Sequence, residues 1–199
     1  AWEALYDRVQ VSTDDVALIH AGAGGVGHVA IQLAKLRFAR VVATASRPET
    51  KALCRELGAD EVIDHRERDF VDAVADLTGG RGCDVVFDTV GGDVFDRSLD
   101  CVALNGRMVT IVANESPHIS GRLFRKNATL AYEFMGIPGI HGIGMDAQAE
   151  ILARVGELVD AGVLRPHVGR VIALEDVPAA HAGLLEGSAI GKTVVRMAR

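Results

Sequence analysis

Apolar residues in this chain fall into short continuous runs separated by longer amphipathic stretches. Val16–His20, Arg40–Ala45, Glu61–Asp64, Asp84–Thr89 and Arg107–Ala113 read as strands. A run such as Val85-Val86-Phe87 does not alternate with polar residues, which suits a strand buried on both faces of a parallel sheet. Between these runs, Gly25–Leu36, Pro48–Leu57, Asp69–Leu77 and Val94–Ala103 carry a helical period. Pro48 stands where a helix starts, Gly58 where it ends, and Asn105-Gly106 marks a turn before a strand. The first long helix ends at Leu36-Arg37-Phe38-Ala39 without a glycine. A left-handed cap there would put roughly 1 kcal/mol of strain on Phe38 or a neighbour. Strand and helix alternating through short loops predict an α/β fold with a doubly wound parallel sheet.

The two ends of the chain follow a different rhythm. Ala1–Val9 reads as a helix with Trp2, Leu5 and Val9 on one face, followed by a turn at Ser12–Asp15. After Ala113 the stretch Asn114–Lys126 is polar and irregular, Ala128–Met135 fits a sixth strand, and Gly136–Gly144 reads as a glycine-rich loop. Ala147–Ala161 is a helix with Ile151, Val155, Leu158 and Val159 on one stripe. The tail gives strand (Val168–Leu174), helix (Val177–Leu185) and strand (Thr193–Met197).

Composition narrows the classes of function. The 199 residues are 49% hydrophobic and 24% charged, as in an ordinary globular protein. A net charge of −6 argues against nucleic acid or an anionic membrane as the main partner. Cys54, Cys83 and Cys101 lie far apart, with no Cys-x-x-Cys and no Cys/His spacing suited to a metal, so they read as thiols of a reducing, cytoplasmic compartment. No apolar run is long enough to span a bilayer. The chain starts at Ala1-Trp2-Glu3 without a methionine and reads as the middle of a longer protein.

The chemistry concentrates in Val16-Ala-Leu-Ile-His20-Ala-Gly22-Ala-Gly24-Gly25-Val26-Gly27, where a Gly-x-Gly-x-x-Gly turn follows a strand and opens a helix. In that context Gly22 allows a tight turn, Gly24 lets a diphosphate approach the backbone, and Gly27 brings the helix close to the strand. Gly22, Gly24, Gly25, Val26 and Gly27 would then cradle the phosphates of a dinucleotide with free N–H groups and the positive helix end, as in a Rossmann domain. Cofactor choice is set at the end of the second strand, which here reads Thr44-Ala45-Ser46-Arg47-Pro48 and has no acid. Ser46 can hydrogen-bond, Arg47 can grip a phosphate with two N–H groups, and Lys51 follows one turn on. The expected cofactor is therefore NADPH in preference to NADH. A second glycine cluster, Gly79-Gly80-Arg81-Gly82, precedes a strand and so belongs at the wrong end of the sheet.

Several segments together resemble the medium-chain dehydrogenase/reductase superfamily. These are Ala1-Trp-Glu-Ala-Leu5, the glycine turn, Leu57-Gly-Ala-Asp60, Val85-Val-Phe-Asp-Thr-Val-Gly-Gly92, Gly106-Arg-Met-Val109, Ala180-His-Ala-Gly-Leu-Leu-Glu-Gly187 and Ile190-Gly-Lys-Thr-Val-Val195. The chain is most similar to the NADPH:quinone oxidoreductase branch and its zinc-type alcohol-dehydrogenase-like relatives. The resemblance implies residues 1–162 as the dinucleotide-binding domain and 163–199 as a segment returning to an N-terminal, largely β catalytic domain absent from this sequence. It implies His65 near the adenosine phosphate, in the place of a tyrosine in relatives, and Thr89, Val90, Ile111 and Val112 beside the ribose and nicotinamide. It implies hydride transfer from NADPH to a quinone or an α,β-unsaturated carbonyl compound, with no metal held by this chain. A zinc alcohol dehydrogenase with ligands upstream, an enoyl-thioester reductase and a non-catalytic NAD(P)H-binding module stay open. Tyr6 and Tyr132 read as packing residues before proton donors. Phe134-Met135-Gly136-Ile137 would reach the nicotinamide or a dimer seam, and Ala128–Met135 could pair edge to edge in a homodimer.

Overall fold

The computed structural model describes residues 1–114, 116–117 and 119–197. Six parallel strands form one sheet: β1 (Val16–Ile19), β2 (Arg40–Ala45), β3 (Glu61–Asp64), β4 (Cys83–Asp88), β5 (Val102–Thr110) and β6 (Thr129–Tyr132). Their order is β3-β2-β1-β4-β5-β6, so the winding reverses between β1 and β4. A crevice opens at the carboxyl ends of strands where such a reversal occurs, and ligands bind there. The expected doubly wound sheet is present.

The continuous apolar runs are explained by burial on both sides. In β1, Ala17 and Ile19 belong to one core cluster while Val16 and Leu18 belong to the other, on the opposite face. Helices α1 (Gly27–Leu36), α2 (Pro48–Glu56), α3 (Phe70–Leu77) and α4 (Gly92–Cys101) cover the two faces. Phe38 takes the strained left-handed cap, with φ +61°. It does so because Ala39, fully buried, must turn directly into β2.

Three local expectations need correction. Asn114–Lys126 is not wholly irregular: Ile119–Lys126 forms α5, with Leu123 as its buried apolar anchor. Charge fastens this helix. Arg122 pairs with Asp96 and Asp100, and the Lys126 ammonium binds the carbonyls of Leu99, Asp100 and Val102 at the end of α4. Gly136–Gly144 likewise contains a short helix, α6 (Ile137–His141), with Pro138 in its first turn and Gly142 left-handed at its end. Asn105-Gly106 lies inside β5, not before it. The register against β4 slips between the pairs Cys83↔Val102 and Val85↔Arg107, and Asn105 absorbs the irregularity at φ +59°.

The N-terminal residues form a π-helical turn, Glu3–Arg8, that buries Leu5 and Val9. Beyond β6, α7 (Met145–Asp160) leads to a separate pair of parallel strands, β7 (Val168–Ile172) and β8 (Lys192–Val195), joined through α8 (Val177–Leu185). This return segment is tied to the main sheet's layers. Leu164 is buried in the core, Gln32 and Arg165 exchange two hydrogen bonds (3.1 and 2.8 Å), and Gly191 N–H donates to Ala23 O at 2.8 Å.

Candidate cofactor-binding site

The chain leaving β1 turns at Ala21, which takes φ +47°. The left-handed residue of the turn is therefore Ala21, and Gly22 is required for a different reason. A Cβ on Gly22 would lie 2.8 Å from Cys54 Sγ and 2.9 Å from Ala43 Cβ, so only glycine fits between β2 and α2. A Cβ on Gly27 would overlap the Ala21 carbonyl, whose carbon lies 2.9 Å away. Gly27 thus seats α1 against the turn, as its spacing predicts. The Gly25 and Val26 N–H groups make no hydrogen bond among the described residues and stand at the positive end of α1.

A cleft of about 460 Å³ opens over this turn. Its floor is Ala23, Gly24 and Gly25; one wall is Ser46, Arg47 and His65, which follow β2 and β3, with Thr50 from the first turn of α2. The other wall is Leu184, Gly187, Ala189, Gly191 and Lys192 from the return segment. Of the predicted residues, Gly24, Gly25, Ser46, Arg47 and His65 are brought together here. Lys51 is not: its ammonium lies 2.6 Å from Asp64 in a neighbouring hollow. That hydrogen bond holds the Lys51 pKa above its ordinary value and the Asp64 carboxyl below its own.

Arg47 is the N-cap residue of α2, fixed by Thr50, whose hydroxyl accepts from Arg47 N–H and donates to Arg47 O. Its guanidinium donates to Ser188 O (3.1 Å) and Ala189 O (3.5 Å) and pairs with Glu49 at 3.2 Å. Lys192 carries the second cation of the cleft, and a Cβ on Gly25 would fall 2.9 Å from its Nζ. Lys192 lies in the Ile190-Gly-Lys-Thr-Val-Val195 segment, where no local pattern points to the glycine turn. Only the fold brings a residue this distant in sequence onto the glycine turn.

Thr89, Val90, Ile111 and Val112 lie outside the cleft lining, at the ends of β4 and β5. Asp88 shapes this rim: one carboxylate oxygen accepts from Val90 and Gly91 N–H, the other from Thr110 Oγ1. Glycine at 91 lets the β4 turn touch Val112, since a Cβ would sit 2.6 Å from Val112 Cγ1. Thr89 Oγ1 donates to His20 O, and Val90 remains 47% exposed. Phe134 and Met135, just after β6, are also exposed.

Beneath the cleft sits a network the sequence did not announce. The His20 ring ends β1 fully enclosed, with Nε2 at 2.8 Å from Ser98 Oγ and Nδ1 at 3.4 Å from Thr44 Oγ1. Burial pushes its pKa down to about 4. His28 Nδ1 lies 2.7 Å from Gly24 O and so carries the donor proton, while buried Nε2 has no hydrogen-bond partner among the described residues. Burial lowers this histidine's pKa as well. Tyr6 donates to Leu33 O and packs under Arg37, a structural role. The three cysteines are free and buried, their thiols raised by desolvation. Gly79–Gly82 precedes β4 and lies at the opposite rim of the sheet.

The donor set fits a dinucleotide phosphate chain: unbonded amides at a helix N-terminus, a cradle that a side chain on Gly25 would fill, and cations on both walls. It does not fit a metal, because no three His, Cys, Asp or Glu side chains converge among the described residues. No helix of the described residues is long and apolar enough to cross a membrane.

Comparison with known proteins agrees with this geometry. A family model described as zinc-binding dehydrogenase matches residues 57–195. The 2-haloacrylate reductase of Burkholderia sp. is 31% identical over 96% of the chain, which spans 58% of that protein. The quinone oxidoreductase of Pseudomonas aeruginosa is 33% identical over 96% of the chain and is covered to 59%. The chain thus spans little more than half the length of these curated relatives. The crystal structure of Escherichia coli quinone oxidoreductase complexed with NADPH superposes with a TM-score of 0.83 at 28% identity, covering 94% of this chain and 59% of that one.

Proposed function

We propose that this chain, which belongs to the zinc-binding dehydrogenase family of the medium-chain dehydrogenase/reductase superfamily, is the cofactor-binding part of an NADPH-dependent oxidoreductase. The observation that carries the proposal is the cleft over Gly24 and Gly25, with Arg47 on one wall and Lys192 on the other. The amides of Gly25 and Val26 and the Lys192 ammonium hold the diphosphate. Arg47, Ser46 and His65 meet the adenosine end, and the Arg47 guanidinium supplies the charge that favours a 2′-phosphate. Thr89, Val90, Ile111 and Val112 fix the ribose and nicotinamide at the reversal point of the sheet. When bound, the nicotinamide supplies a hydride from its C4. The chain's own part is to orient that ring and to keep water from one of its faces.

The substrate class is a quinone or an electron-poor alkene such as an α,β-unsaturated carbonyl. The names of the quinone oxidoreductase and 2-haloacrylate reductase relatives support it. Residues 1–162 act as the dinucleotide-binding domain and 163–199 as the segment that joins a catalytic domain. The edge strand β6, with half-exposed Tyr132 at its end, pairs with a second copy in a homodimer.

Thermal unfolding with NADPH, NADH and no cofactor tests the reading. A hundredfold excess of NADPH over its dissociation constant should stabilise the protein by about 2.7 kcal/mol, and NADH at the same concentration by less. Full-length protein should then consume NADPH when a quinone is added. Stabilisation by neither cofactor refutes the proposal. Stabilisation without turnover assigns a binding module in place of an enzyme.

A further inference from the structure

The Arg47 side chain does not find its position through its own strand end. Its guanidinium reaches across the cleft to the turn after α8, where it meets the carbonyls of Ser188 and Ala189. That turn is a built helix stop. Gly187 is left-handed at φ +70° and donates to Leu184 O (3.0 Å), while Ser188 gives both its N–H (2.9 Å) and its Oγ–H (2.8 Å) to Gly183 O. A cation at this helix end also meets the negative pole of the helix dipole. Two neutral carbonyls orient the fork without cancelling its charge; among the described residues only Glu49, half exposed, forms an ion pair with it. A guanidinium has five N–H donors. Ser188 O and Ala189 O each take one N–H, from different terminal nitrogens, so further N–H donors remain for a ligand. Guanidinium N–H groups form strong charge-assisted hydrogen bonds to phosphate.

We infer that the Gly187–Ala189 turn is a specificity-determining element: its carbonyls hold Arg47 aimed at the 2′-phosphate site, so the return segment helps to choose NADPH over NADH. This rests on the reading of Arg47 under the proposed function, and it adds a positioning role that neither the second strand nor the glycine turn supplies. The turn touches the part of the cleft that differs between the two cofactors, so its effect belongs in their affinity ratio and not in affinity as such.

Dissociation constants of NADPH and NADH, read from cofactor fluorescence on the full-length protein, test it. Arg47→Gln should lower the NADPH-to-NADH affinity ratio by about tenfold or more, the size expected for a charged hydrogen-bonded contact. Gly187→Val, which a β-branched side chain at positive φ forces to rearrange, should lower the same ratio by roughly three- to tenfold. The double variant should fall no further than Arg47→Gln alone, because the turn acts only through that side chain. Should Gly187→Val not fold, Ser188→Ala removes the hydroxyl bond to Gly183 and should lower the ratio by roughly twofold. If Arg47→Gln leaves the ratio unchanged, the cofactor reading itself fails and the inference falls with it. If Arg47→Gln lowers the ratio but the turn variants do not, or if the effects simply add, the reading of Arg47 stands and the inference is overturned.

Discussion

Acidification from about pH 7 to about pH 4.5 brings the enclosed His20 ring into conflict with its surroundings. The ring is 1% exposed, and its neighbours fix one neutral tautomer. Ser98 donates its only hydroxyl proton to Val94 O at 2.6 Å, so the contact with Ser98 must be a donation from Nε2. Thr44 Oγ1 accepts from Ala21 N–H at 3.0 Å and turns its own proton toward Nδ1. A second ring proton on Nδ1 would face that hydroxyl hydrogen, inside a site that water does not reach. With the folded pKa at about 4, the unfolded chain takes up a proton near 6.5 that the folded chain refuses. The stabilisation is therefore complete above the unfolded value and is lost as pH falls toward 4. Linkage puts the loss between pH 7 and pH 4.5 at about 2–3 kcal/mol. Urea unfolding at a series of pH values, on the wild type and on His20→Gln, isolates it. Every other titrating group, His28 included, cancels in the difference between the two proteins. The stability advantage of the wild type should shrink by about 2–3 kcal/mol across the window. An advantage that stays constant with pH refutes the argument, because His20 would then titrate alike in both states.

Three further outcomes follow from the geometry of the cleft. Gly27→Ala forces a Cβ into the Ala21 carbonyl and should cost about 1–3 kcal/mol, read as a lowered Tm together with weakened NADPH binding; an unchanged Tm would show that α1 can back away freely. Lys192→Gln should weaken NADPH and NADH equally, by about tenfold, since the diphosphate is common to both; an unchanged Kd for both removes Lys192 from the site. Glu49→Gln removes the carboxylate paired with Arg47 and should raise the preference for NADPH by roughly two- to fivefold, whereas a lowered preference would mean that Glu49 orients Arg47 more than it repels phosphate.

The sheet was legible in the sequence because burial on both faces leaves an unmistakable trace. Val85-Val86-Phe87 has no polar partner to alternate with, and a glycine turn followed an equally apolar run. Elements held by charge left no such trace. Helix α5 has Leu123 as its buried apolar residue and owes its place to Arg122 and Lys126, so hydrophobic period passed over it. At the cleft, the glycine turn and the end of β2 name Gly24, Gly25, Ser46 and Arg47 from local pattern alone, and these residues line it. Lys51, read from the same pattern, was captured by Asp64 because the end of β3 lies alongside α2. Lys192 and the Gly187–Ala189 turn were invisible for the opposite reason. They reach the cleft only after the chain has crossed the sheet and returned, and Gly191 has bonded to Ala23. In the sequence, His20 reads as the last residue of a strand. Its partners, Thr44 and Ser98, come from β2 and α4, and no local spacing joins them.

In the proposed function, the turn from β1 into α1 holds the diphosphate of a nicotinamide cofactor. A crystal structure of the protein with NADPH tests it most directly. The diphosphate should lie on the amides of Gly25 and Val26, with the Lys192 ammonium beside it and the 2′-phosphate against the Arg47 guanidinium. A cofactor bound elsewhere on the chain, or a diphosphate out of reach of those amides with Gly24–Gly27 in the conformation described, contradicts it.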